Sequence, residues 1–194
     1  MTDFRALTPV IVLAAGASER MGRSKQLLGW GQGCLLDQAV ALARNLSSDV
    51  VVVAGARYPV IRYRATRSPS RWVVAADWHK GMGASLNAGL RSLPARCRGA
   101  FVMVADQPVL ALEGLQALAD AARAEPGRPV AADYGGRPGV PAYLPRALWA
   151  QVSSLTGDQG AGAILNRVNA RRIRIAGVEL DLDTPADLKA LRGR

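Results

Sequence analysis

Short apolar runs rich in β-branched residues recur along this chain, and each is followed by a stretch with helical spacing. Val10–Ala15, Asp49–Ala54, Arg71–Ala76 and Ala100–Ala105 read as strands. Continuous apolar runs of this length mark strands buried on both faces. Between and after them, Leu35–Leu46, Tyr58–Ala65, Ala84–Leu93 and Leu112–Ala124 carry apolar residues at helical intervals. Further on, Pro129–Asp133 and Arg172–Ala176 read as strands, and Arg146–Leu155, Ala161–Val168 and Thr184–Leu191 as helices, the last with Pro185 in its first turn. Strand–helix alternation predicts right-handed crossovers, a mainly parallel sheet and helices on both faces. The expected class is therefore α/β, a three-layer Rossmann-like fold in one domain over residues 1–194. Tyr134–Pro141, with three glycines and two prolines, reads as a long loop, either a surface excursion or a substrate wall.

In open α/β sheets ligands bind beyond the carboxyl ends of the strands. The ionic residues of this chain gather at those ends. Gly16–Lys25 follows the first strand, Asp77 the third and Asp106 the Phe101–Ala105 run, while Asp181 and Asp183 follow the last strand region.

The richest of these ends is Leu13-Ala14-Ala15-Gly16-Ala17-Ser18-Glu19-Arg20-Met21-Gly22-Arg23-Ser24-Lys25. A Gly-containing loop ending in an arginine and a lysine suits a polyphosphate, with backbone N–H groups around it and two cations to neutralise it. A plain strand-to-helix connection would explain the glycines but not the cations. The loop is not a Walker A motif: Gly16 and Gly22 are separated by five residues, and Gln26 rather than Ser or Thr follows Lys25. Nor does it hold the G-x-G-x-x-G of dinucleotide sites. Asp106, between an apolar strand and Pro108, suits a hard cation such as Mg²⁺. A turn or cap aspartate is the competing reading there, and also at Asp183 before Thr184-Pro185. Gly81–Ser85 opens a helix after the third strand. There Gly81, Met82 and the Ser85 hydroxyl are placed to read a base or ribose, with Asp77 nearby, unless Ser85 only caps the helix.

Composition narrows the rest. The formal net charge is +10, from 25 Lys+Arg against 15 Asp+Glu. The arginines are scattered, as at Arg57, Arg62, Arg64, Arg67 and Arg71, without a nucleic-acid-binding pattern. Most read as solvated surface, and a few are available to steer an anionic substrate. Two cysteines, Cys34 and Cys97, and one histidine, His79, make neither a disulfide framework nor a zinc site. His79 reads as a structural or exposed loop residue. Reduced thiols, no apolar run long enough to span a bilayer and no signal-peptide pattern lead to the expectation of a cytoplasmic protein with no nucleic-acid or membrane partner.

Together the motifs resemble those of the MobA-like nucleotidyltransferases, most of all their molybdenum-cofactor cytidylyltransferase branch. The likeness covers nearly the whole chain. It rests on Leu13–Leu28, on Gly81-Met82-Gly83-Ala84-Ser85-Leu86 with Gly89-Leu90, on Ala105-Asp106-Gln107-Pro108 and on Asp181-Leu182-Asp183-Thr184-Pro185 with Asp187-Leu188. The resemblance implies transfer of CMP from CTP to the phosphate of a molybdopterin-type acceptor, with loss of pyrophosphate. Ala15 replaces the glycine usual in guanylyltransferases and points the same way. It implies Arg20, Lys25 and Asp106 as catalytic residues, with Asp106 and Asp183 holding Mg²⁺ and Asp181 a weaker candidate. Leu13, Ala14, Ala15, Gly16, Ser18, Arg20, Met21, Gly22, Lys25, Asp77, Gly81, Met82 and Ser85 would bind the nucleotide. The nucleotide part would span about residues 8–110 and the acceptor part about residues 130–194, with Gly139, Pro141 and Asp158 on the acceptor. Val140 stands where that branch usually has histidine. The departure touches the acceptor side and leaves nucleotide activation intact. The alternatives are a GTP-using enzyme, a transferase for a sugar or polyol phosphate, and a non-catalytic nucleotide-binding accessory protein that serves a recipient molybdoenzyme.

Overall fold

Strand β1 (Val10–Ala14) is buried along its whole length, as is β4 (Val50–Ala54). The computed structural model describes residues 4, 7–152, 154–155 and 160–192. In chain order, β1 is followed by a small hairpin, β2 (Gly29–Trp30) and β3 (Gly33–Cys34), then α1 (Leu35–Leu46), β4, α2 (Tyr58–Arg64), β5 (Arg71–Val74) and α3 (Met82–Arg91). The second half contains β6 (Gly99–Val104), α4 (Leu112–Ala124), β7 (Val130–Asp133), β8 (Pro138–Pro145), α5 (Trp149–Val152), α6 (Ala161–Arg167), β9 (Arg171–Ile173) and α7 (Pro185–Arg192).

The main sheet has the order β5-β4-β1-β6-β8-β7-β9. All of its strands run one way except β8, which is antiparallel to both β6 and β7. Alternation along β1 sends Val10, Val12 and Ala14 to a core shared with α1 and α4, and Ile11 and Leu13 to a core shared with α3 and α6. These are the three layers expected. A Cβ at Gly89 would lie 2.9 Å from Val53 Cγ2 and 3.0 Å from Ile11 Cγ2. That glycine lets α3 press onto β1 and β4, so its first turn reaches their carboxyl ends. Among the described residues no helix is long and apolar enough to cross a membrane.

Two readings of the sequence need correction. The Tyr134–Pro141 segment is a loop only in its first half, because β8 begins at Pro138. Its prolines argue against a central strand, but the pairing shifts register between Ala131 and Ala132 opposite Pro141. The missing N–H of Pro141 therefore falls in a bulge, where the ladder does not need it. The helix expected over Arg146–Leu155 is a 3-10 turn, Arg146–Leu148, followed by the four residues of α5. The β2–β3 hairpin was not anticipated, since two-residue strands carry no periodic signal.

One buried carboxylate ties the first helix to the sheet edge. Asp37 accepts hydrogen bonds from the Cys34 N–H (2.9 Å), Cys34 Sγ (3.0 Å), Thr66 N–H (2.8 Å) and Arg67 N–H (2.7 Å). Burial works against its charge, but these donors outweigh burial and hold its pKa below the ordinary aspartate value. Burial, reinforced by the Asp37 carboxylate, pushes the Cys34 thiol up to about 11. Cys34 and Cys97 are both free and buried.

Asp37→Asn is expected to lower unfolding stability by about 2–3 kcal/mol, as loss of charge-assisted bonds to a buried group does. The contribution has a definite sign with pH. Because the folded pKa is depressed, the stability is present above the unfolded value of about 3.9 and disappears as pH falls through the folded one. Urea midpoints of both proteins, measured from pH 7 downward, should therefore converge at acid pH; a constant gap would contradict the assignment.

Candidate active site

The carboxyl ends of β1 and β6 and the first turn of α3 enclose a cleft of about 620 Å³. The residues after β1 form its floor and one wall. Ser18 adopts a left-handed conformation (φ 60°), and Glu19–Met21 make a 3-10 turn closed by Gly22 at φ 69°. Within this turn the Met21 N–H donates to Ser18 O and the Gly22 N–H to Glu19 O. The N–H groups of Gly16 through Arg20 have no partner among the described residues. They are the loop's available anion donors.

Gln26 holds this loop in shape. It is buried, and its Nε2 donates to Ala14 O and Gly16 O, each at 3.0 Å. Its Oε1 accepts from Ser18 Oγ at 3.3 Å, and Ser18 Oγ in turn accepts from the Lys25 N–H at 3.1 Å. The Ser18 hydroxyl is thus occupied with closing the loop.

Lys25 stands between two carboxylates. Its Nζ donates to Asp106 Oδ2 and, at 3.0 Å, to Asp183 Oδ1. Arg20 Nη2 pairs with Asp183 Oδ2 at 2.9 Å. Burial disfavours the ammonium, but Asp106 and Asp183 more than compensate, and the Lys25 pKa lies above the ordinary lysine value. Asp106 Oδ1 is buried with no hydrogen-bond partner among the described residues. Asp181 is nearby and exposed to solvent, although the protein around its carboxyl, with Asp106 and Asp183 as negative neighbours, pushes its pKa up.

Two features bring Asp183 from the far end of the chain. The Leu182 N–H donates to Asp106 O at 3.0 Å. Leu182 and Leu188 also join Met21, Leu28 and Leu35 in a small separate core beneath the loop. Capping of α7 is done by its neighbours: Asp187 Oδ2 accepts from the Thr184 N–H (2.7 Å), Thr184 Oγ1 (2.9 Å) and the Asp183 N–H (3.1 Å). The Asp183 side chain is therefore left to face Lys25. Asp106 caps no helix, as α4 starts after Ala111. Ser85 is no cap either, since Gly81 occupies that position and Ser85 lines the cleft from the first turn of α3.

Most of the expected site residues meet here. Leu13, Ala14, Ala15, Gly16, Ser18, Arg20, Lys25, Gly81, Met82, Ser85, Asp106 and Asp183 all line the cleft. Others do not. Met21 points into the small core, and Gly22 ends the turn with its N–H already used. Asp77 is exposed outside the cleft and pairs with Lys80 at 3.0 Å. Gly139 and Pro141 are part of β8 and line no wall of the cleft. A Cβ at Gly139 would lie 2.4 Å from Tyr134 Cε2, so the glycine makes room for that ring. Tyr134 Oη donates to Val140 O and accepts from Gln107 Nε2, each at 2.6 Å. Burial pushes the Tyr134 pKa up to about 12, so it remains a donor. Asp158 lies outside the described residues.

Gln26, Trp78 and His79 also line the cleft and were not singled out for it. The signal for Gln26 was a polar residue wedged between Lys25 and the Leu27-Leu28 pair. Trp78 stands against Gly55, where a Cβ would lie 2.5 Å from Trp78 Cγ. His79 is exposed and meets Trp78 edge to face, with ring centroids 6.1 Å apart.

The model of the MobA-like NTP transferase domain matches residues 10–173, which contain the loop, the main sheet and every cleft residue except Asp183. The chain belongs to this nucleotidyltransferase family. Its relatives carry different names. Nicotine blue oxidoreductase of Paenarthrobacter nicotinovorans is 34% identical over 86% of this chain and 84% of that protein. The molybdenum cofactor cytidylyltransferase of Escherichia coli is 25% identical over 95% of each. Among solved structures, Rv0371c of Mycobacterium tuberculosis superposes with a TM-score of 0.85 at 27% identity, covering 97% of this chain and 98% of that one. The Rossmann-like α/β architecture and the family hold for this chain, with likeness to molybdenum-cofactor nucleotidyltransferases among its relatives.

Gln26→Leu would keep the volume and leave the carbonyls of Ala14 and Gly16 without their donor. The expected loss is about 2–4 kcal/mol of stability, from two orphaned acceptors. Thermal unfolding monitored by circular dichroism checks it, and an unchanged midpoint would remove Gln26 from this role.

Proposed function

We propose that this protein is a Mg²⁺-dependent cytidylyltransferase, moving CMP from CTP to the phosphate of a molybdopterin-type acceptor. The observation that carries this reading is Lys25 held between Asp106 and Asp183 at the mouth of a loop with unused N–H groups. The cytidylyltransferase relative supports the choice of nucleotide and acceptor.

The residues fit a divalent cation. Asp106 and Asp183 are hard oxygen donors from distant segments, and Asp106 Oδ1 is buried without a partner. Mg²⁺ is typically held by one or two carboxylates together with substrate phosphates. A bound ion would be held by Asp106 and Asp183 and would supply charge neutralisation for the triphosphate. The cluster also has a charge logic. Lys25 and Arg20 are both committed to carboxylates, so Lys25, Arg20, Asp106 and Asp183 together sum to zero. The two cations become available to a triphosphate once the carboxylates have a cation of their own.

In the proposed reaction an oxygen of the acceptor phosphate attacks the α-phosphorus of CTP. The new bond joins acceptor and α-phosphorus, the bond from α-phosphorus to the bridging oxygen breaks, and pyrophosphate leaves with that oxygen. A phosphate monoester has its second pKa near ~6, so it needs no general base at neutral pH. Catalysis is then positioning and charge stabilisation. Arg20 and Lys25 hold the β- and γ-phosphates and stabilise charge on the leaving group. The N–H groups of Gly16–Arg20 cradle the triphosphate over Leu13, Ala14 and Ala15. Gly81, Met82 and Ser85 face the nucleoside. The acceptor enters on the Asp183 side, from the part of the chain after about residue 130, in a cytoplasmic setting.

Pyrophosphate release measured with each nucleoside triphosphate, in the presence of molybdopterin-type acceptor and Mg²⁺, tests the reading. CTP is expected to be preferred. Preference for GTP would overturn the cytidine assignment, and no release with any nucleotide would leave an accessory binding role. Lys25→Ala should lower turnover by ~10²-fold or more, while Asp106→Asn should shift the Mg²⁺ titration to higher concentration. Gly16 offers a further check, because a Cβ there meets nothing within 4 Å and its φ is not left-handed. Gly16→Ala should therefore leave the melting point unchanged and raise KM for the nucleotide. A drop in stability without a KM effect would mean that the glycine serves the fold.

A further inference from the structure

Behind the loop lies a second concavity of about 630 Å³ that shares no lining residue with the cleft. Three arginines converge on it from different segments: Arg23 from the loop, Arg57 from the turn before α2, and Arg64 from the end of α2. Leu27 and Leu28 give it an apolar floor, and the half-exposed Val60 stands beside them. No carboxylate lines it, and among the described residues none of the three guanidinium groups has an ion pair or hydrogen bond. Other arginines of this chain do find acidic partners, as Arg71 does with Asp49 at 3.1 Å. Arg57 also holds a left-handed backbone (φ 57°), a conformation that non-glycine residues seldom adopt.

We propose that this concavity is a second binding site, distinct from the cleft, for a small molecule carrying two or more phosphate groups. Guanidinium groups match phosphate oxygens with paired N–H donors, and these three exposed arginines line the hollow with no carboxylate there to neutralise them. The apolar floor suits a ligand with an apolar or aromatic body beside its phosphates. A convergent hollow of this size is typical of a small-molecule site. The site is coupled to the cleft through one short element. In the 3-10 turn Lys25–Leu27, Lys25 faces the cleft while Leu27 forms part of the floor of the concavity. A ligand seated behind the loop therefore bears on the turn that positions Lys25.

Isothermal titration calorimetry of the full chain tests this with two probes, inorganic tripolyphosphate and CTP with Mg²⁺. The key variant is Arg57→Asn with Arg64→Gln; asparagine tolerates the left-handed backbone better than arginine, so loss of folding is not a confounding outcome. The wild type should show two classes of site for tripolyphosphate. The Arg57→Asn/Arg64→Gln variant should weaken one class by at least ~10-fold and keep the other. Arg20→Ala/Lys25→Ala should do the reverse. One class only, lost with Arg20 and Lys25, overturns the second site and leaves the proposed function standing. One class only, lost with Arg57 and Arg64, supports the second site and overturns the triphosphate cleft. CTP binding at the second site more tightly than tripolyphosphate identifies a nucleotide-like ligand, and equal affinity identifies the polyphosphate alone. A hexaglutamate peptide that competes there as well as tripolyphosphate would overturn the phosphate assignment.

Discussion

The burial of β1 on both faces constrains everything around it. A strand whose five residues are all buried has no place for a functional group along its sides. Its neighbour β4 is fully buried too, and β6 nearly so. Chemistry can emerge only where the backbone leaves the sheet, and two strand ends with one helix start open on the same edge. The loop after β1, the Asp106 turn after β6 and the first turn of α3 are therefore neighbours by construction. Gly89 matters to this arrangement although it touches no ligand, because the absence of its side chain lets α3 sit close enough to complete the wall.

The alternation of strands and helices, and the placing of ionic residues after strands, could be read from the sequence because both follow from local periodicity. What could not be read depends on distant partners. Nothing local in Pro138–Pro145 announces a central antiparallel strand; its prolines are tolerated because the bulge opposite β7 removes the demand for an N–H. Met21 and Gly22 belong to the motif by spacing, yet one is a core residue and the other uses its amide within the turn. Asp77 has the same strand-end position as Asp106, but its turn carries it outward to Lys80. Gln26 is not legible in the sequence because its three hydrogen bonds go to the end of β1 and to Gly16 and Ser18 of the loop, whose conformation the sequence does not specify. At Asp183, where capping and ligand binding compete on paper, Thr184 and Asp187 take the cap between them.

The C-terminal segment is part of the site in a structural sense too. Leu182 and Leu188 help fill the small core that supports Met21 and Leu28 from below. A buried leucine contributes roughly 1.5–3 kcal/mol, so the same residues that deliver Asp183 also stiffen the loop it faces.

The bond from the Leu182 N–H to Asp106 O fixes how far apart the backbones that carry the two carboxylates stand. Asp183 is the next residue along, so both side chains spring from backbone that is pinned together. The end of β6 therefore sets where both side chains start, and only their own rotation is left to adjust the opening between them.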